Sequence, residues 1–105
     1  MRAEAFPDIE VPDELGLIGF KDTSWGNDAG AKFEVAVQWR VALEAWFHHE
    51  DRAQREDETF PRCWLGIRAD VGDYGTDNIV VLGVFDDPME LVAMARGIVN
   101  LNKKR

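Results

Sequence analysis

The stretch from Ile79 to Leu101 places the strongest limit on the fold. Ile79-Val80-Val81-Leu82-Gly83-Val84-Phe85 is almost wholly apolar and rich in β-branched residues, the composition of a strand buried on both faces. Asp87 then offers a helix N-cap, Pro88 fits the first turn, and Glu90 completes an Asp-x-x-Glu capping box. Leu91, Met94, Ala95, Ile98 and Leu101 recur at helical spacing. Lys103, Lys104 and Arg105 follow, positive charge where the helix dipole is negative. This stretch predicts a strand running into a capped C-terminal helix.

A second pattern runs from Phe33 to Phe47. Phe33, Val35, Val37, Trp39, Val41, Leu43, Ala45 and Phe47 are apolar and alternate with positions that include Lys32, Glu34, Gln38, Arg40, Glu44 and His48. A period of two is a strand signal, and its length implies one bent strand or two strands in register. A helix competes over residues 33–49, because Val35, Trp39, Leu43 and Trp46 also fall at helical spacing. On the strand reading Trp46 joins the polar positions and is partly exposed. Phe60 to Arg68 reads as a further strand with Cys63, Leu65 and Ile67 on one face and Pro61 at its start. The short apolar run from Leu15 to Phe20 reads as another.

Between these lie turn-forming segments. Ser24-Trp25-Gly26-Asn27-Asp28 sets a large aromatic among polar groups and glycine, either as a recognition loop or as a plug over the core edge. Asp51 to Thr59 is a charged connection with room for one helical turn, and Ala69 to Asn78 is a long connection rich in Gly and Asp. Residues 1–14 carry Pro7 and Pro12 among five carboxylates and read as an acidic, tethered or disordered arm. Residues 15–105 form a single domain. The resulting fold is α+β: an antiparallel sheet of four to five strands with one C-terminal helix packed on one face.

Composition narrows function by exclusion. Hydrophobic residues make up 46% and charged residues 30%, a soluble balance, and the longest apolar run is too short to cross a bilayer. No apolar stretch of signal-peptide length opens the chain, and the lone Cys63 excludes an internal disulfide; both point to the cytoplasm. The net charge of −8 lies entirely within the first 60 residues, a distribution that repels nucleic acid and membrane and attracts basic protein surfaces. No nucleophile elbow, Walker loop or dinucleotide fingerprint occurs, so neither catalytic residues nor a cofactor are expected. His48-His49-Glu50-Asp51 invites a metal, but adjacent histidines on a strand point to opposite faces, and no metal is expected. Asp70, Asp73 and Asp77 do not match an alternate-residue calcium loop.

Ser24-Trp25-Gly26-Asn27-Asp28 with Phe33, and His49-Glu50-Asp51-Arg52-Ala53-Gln54-Arg55-Glu56, resemble short proteins without assigned activity carried by proteobacteria and their phages. The resemblance implies a mobile-element origin and carries no functional residue with it.

The first functional expectation is a non-enzymatic acidic protein that binds a basic protein surface. Its sharper form is a phage or mobile-element inhibitor of a nucleic-acid-binding defence complex, of anti-CRISPR or anti-restriction type. Asp22, Asn27, Asp28, Glu34, Glu44, Glu50 and Asp51 would supply polar and charged contacts, with Trp25 and Trp46 as anchors. The alternative is a small enzyme or ligand-binding domain whose pocket is lined by Trp25, Asn27, Asp28 and His49. A homodimer through a sheet edge is the third.

Overall fold

The computed structural model describes residues 1–70 and 77–103. Residues 71–76, and with them the calcium arrangement weighed for Asp70, Asp73 and Asp77, lie outside the described residues. The elements in order are α1 (Glu14–Ile18), β1 (Lys21–Asp22), β2 (Ala31–Gln38), β3 (Val41–Phe47), a 3-10 turn (Arg52–Gln54), β4 (Cys63–Asp70), β5 (Asp77–Phe85) and α2 (Pro88–Lys103). The five strands form one antiparallel sheet whose spatial order follows the chain, β1-β2-β3-β4-β5, and the fold is α+β as expected.

The alternation from Phe33 to Phe47 resolves into β2 and β3, joined by a tight turn at Trp39-Arg40. Arg40 takes a left-handed conformation there (φ 59°), and its guanidinium lies over the Trp39 ring. Register then sorts side chains into two faces. On one, Phe33, Ala45 and Leu65 share a cross-strand row, and Ala31, Phe47, Cys63 and Phe85 share the next. Here the core forms: Leu91, Val92, Ala95 and Val99 of α2 are buried in one cluster with Phe33, Leu43, Phe47 and Leu65. Asp87 caps the helix as its sequence predicts, its Oδ1 accepting from the Met89 amide at 2.9 Å, while the Glu90 amide donates to the Asp87 backbone carbonyl at 3.1 Å rather than to its side chain.

Three expectations are corrected. Leu15 to Phe20 is not a strand: Glu14–Ile18 is one short helix that closes on Gly19, whose φ of 112° suits glycine alone. Its single buried residue, Leu15, joins the core. Residues 1–14 are not a tethered arm, because Ala3, Ile9 and Val11 are buried in that core while the carboxylates between them point outward. Nor is β5 buried on both faces. It is the last strand, α2 turns back from it over the sheet, and Ile79, Val80, Val81, Leu82 and Val84 are 46, 59, 55, 36 and 61% exposed.

Candidate binding surface

Among the described residues the second sheet face carries no covering element, and three cross-strand rows build it. Lys32, Trp46, Trp64 and Val84 form one row, Glu34, Glu44, Gly66 and Val81 the next, and Ala36, Ala42, Arg68 and Ile79 the third. Trp46 and Trp64 stand opposite each other, so their rings stack at 5.5 Å between centroids and 6° between planes. Lys32 Nζ lies 5.6 Å from the Trp46 ring centre.

Beneath this layer sits Glu44, only 2% exposed. Its Oε1 accepts from the Trp46 indole at 3.2 Å, while Oε2 has no hydrogen-bond donor and faces Arg68 Nε at 3.5 Å. Burial first, and then the Glu34 charge, push the Glu44 carboxyl above its ordinary value, against the pull of Arg68 and Lys32. Glu34 bridges to Arg68 at 3.2 Å and to Lys32 at 3.6 Å. This face is therefore aromatic and close to neutral, with two carboxylates meeting two cations.

The remaining residues singled out by sequence are dispersed. Trp25 is 72% exposed, and its amide donates to Asp28 Oδ2 at 2.8 Å, which closes the loop as a turn beside exposed Asn27. Asp22 accepts from the Ser24 and Glu4 amides, each at 2.9 Å. Burial acts upward on its carboxyl, but those amides outweigh it and hold the group below its ordinary value. Asp51 caps the 3-10 turn by accepting from the Ala53 amide at 3.0 Å. So Glu34, Glu44 and Trp46 share one face, and Asp22, Asp28 and Asp51 each close a local turn.

A cleft of about 570 Å³ opens between residues 10–14, the connection from Glu50 to Arg62, and the start of α2. Glu10, Asp13, Glu14, Glu50 and Asp86 line it. Its two arginines hold the walls in place. Arg55 donates to the carbonyls of His49, Glu50 and Phe60, and Arg62 to those of His48 and Glu10. A second cleft, of about 330 Å³, brings Asp28 and His49 together with Phe6, Ile9 and Arg55; Trp25 and Asn27 do not line it.

No family model matches this chain, no curated protein matches its sequence, and no solved structure matches it.

The remaining reactive groups are inward. Cys63 is buried with its thiol against the Phe85 carbonyl, and burial above all pushes its pKa up to about 12, which leaves no thiolate at neutral pH. His48 is buried against the Phe60 ring, and burial, then the nearby Arg55 and Arg62, lower its pKa although the Ala29 carbonyl works the other way. His49 turns away from it and accepts from the Asp51 amide through Nδ1 at 2.9 Å. No cluster of three or more His, Cys, Asp or Glu able to hold a metal occurs among the described residues.

Sequence reasoning missed Trp64, Lys32 and Arg68 on the open face. The signal was present, since Cys63, Leu65 and Ile67 inward put Trp64 and Arg68 outward. It also missed Glu10, Asp13, Glu14 and Asp86, which only the tertiary fold gathers.

Proposed function

We propose that this is a non-enzymatic binding protein whose acidic cleft receives a basic surface of another protein. One observation carries the reading. Five carboxylates from three separate stretches of chain, Glu10, Asp13 and Glu14, then Glu50, then Asp86, converge on a single cleft whose three cations are already engaged, Arg55 and Arg62 by backbone carbonyls and the Met1 ammonium by Asp13 Oδ1 at 2.6 Å and the Val11 carbonyl. Converging like charges cost folding free energy unless something offsets them, and a lysine or arginine side chain of a partner does so while gaining a steered approach. In its sharper form the partner is a nucleic-acid-binding defence complex, and the protein is a mobile-element inhibitor of anti-CRISPR or anti-restriction type acting in the cytoplasm. An acidic cleft competing for residues that otherwise hold phosphate supports that form.

Calorimetric titration with an arginine-rich peptide at low and high salt tests the reading. Expected is binding that weakens at least tenfold as salt rises and again in Glu50→Lys and Asp86→Lys. Binding indifferent to salt, or to both reversals, overturns it.

The second cleft favours a different reading, a small-molecule site with Asp28 and His49 as polar contacts. A fragment screen by NMR shifting the His49 ring resonances, and lost in His49→Ala, is its expected signature.

A further inference from the structure

We propose that β5 is a homodimer interface, in which two copies pair their β5 strands antiparallel about a twofold axis and join their sheets into one. The strand has a ladder partner on one side only, β4. On the other side alternate backbone amides and carbonyls face outward with no strand partner among the described residues, which is the template for strand addition.

Edges of this kind are ordinarily blunted by lysine, proline or an inward charge. From Ile79 to Phe85 there is no charge and no proline, only aliphatic and aromatic side chains and Gly83. The one irregularity, a bulge opposite Leu65/Gly66, leaves Leu82 more than a third exposed rather than turning it under the sheet.

Both faces of the edge contribute. Ile79, Val81 and Val84 lie on the open face, in rows with Arg68, Gly66 and Trp64. Val80 lies on the helical face, in the row of Ile67. The helix extends the patch. Met94 lies over Gly83, where an added Cβ would meet its Sδ at 3.4 Å, and exposed Leu101 follows two turns along the same stripe.

Area and chemistry together bear on the occupant. A fully exposed Val, Leu or Ile side chain presents roughly 60–120 Å² of apolar surface. The five β5 side chains at their fractional exposures, with Met94 and Leu101, come to roughly 220–440 Å² on that scale. A standard interface buries about 800 Å² per partner, a little over half of it apolar. The patch thus approaches the apolar part of one protomer's share of a stable dimer and falls in the range of the largest apolar patch on a typical monomer, which is often functional. A second copy is the occupant with matching chemistry, because an uncharged aliphatic strand paired antiparallel with itself sets residue i against j and j against i, aliphatic on aliphatic throughout. A partner chosen for the acidic cleft is basic and has no charge to meet here.

Sedimentation equilibrium of the full chain, from micromolar to millimolar, tests this. Expected is a mass of twice 11.9 kDa with no larger species, and a dissociation constant raised at least tenfold in Val81→Lys and in Val84→Lys. Both replaced side chains are more than half exposed, so near-ultraviolet circular dichroism of the variants should match the parent. A monomeric mass throughout the range overturns the proposal and gives the edge to a foreign strand. So does a dimer that both lysines leave intact. Peptide binding at the acidic cleft is read separately and does not depend on either result.

Discussion

At the scale of single residues, the open face concentrates its tension on Glu44. A carboxyl raised above its unfolded value is bound more tightly to its proton in the folded state. Its stabilising contribution is therefore present below the unfolded pKa of about 4.5 and is lost as pH rises through the higher folded value. Glu44→Gln removes that titration while Oε1 still accepts from the Trp46 indole. The variant is expected to gain on the parent in urea midpoint as pH rises from 4.5 towards neutrality; a parallel pair of pH profiles would show that Arg68 neutralises Glu44 fully. Gly30 makes a different demand. A Cβ there would sit 2.5 Å from the Phe47 carbonyl oxygen and 2.9 Å from His48 Nδ1, and the backbone atom cannot yield. Gly30→Ala is expected to cost about 1–3 kcal/mol in urea unfolding, the range for overpacking.

At the scale of elements, α2 is the part written most plainly in the sequence. Its N-cap and proline agree, and of its apolar stripe Leu91 and Ala95 face the core while Met94 and Leu101 stay exposed. Asp87→Ala is expected to lower stability by about 1 kcal/mol by leaving the Met89 amide without its acceptor, whereas Asp87→Asn keeps most of it. β2, β3 and β4 were legible for a similar reason, since alternation with one polar face survives tertiary context, whereas β1 at Lys21–Asp22 is too short to show a period. What stayed hidden follows from what periodicity omits. The β2–β3 turn at Trp39-Arg40 carries no Gly, Asn or Pro, so one unbroken alternation spans two strands. The apolar run Leu15 to Ile18 is too short for a period of two to be told from one of 3.6, and it became a helix. Composition also reports that β5 is apolar without reporting where in the sheet it lies, so a strand suited to the centre was found at the edge. The candidate site was least legible of all, because Glu10, Glu50 and Asp86 are neighbours only after α1, the charged connection and α2 have packed.

At the scale of the whole molecule, two surfaces of opposite character share one small body, and ionic strength separates them. The net charge of −8 attracts a basic partner at long range but sets copies of the chain against one another. The screening length is about 8 Å at physiological ionic strength and falls to about 3 Å at 1 M. Raising salt therefore weakens capture at the acidic cleft, while it relieves repulsion between copies and leaves the aliphatic contact along β5 untouched. Peptide affinity is expected to fall across a salt series from 50 mM to 1 M, and the dimer dissociation constant to fall with it. The two observables thus move in opposite functional directions from a single variable. If both interactions weaken together, the self-association is electrostatic and runs through the charged face rather than β5. If neither responds, the carboxylates around the cleft are already neutralised by Arg55, Arg62 and the Met1 ammonium that pairs with Asp13, and the acidic surface serves solubility alone.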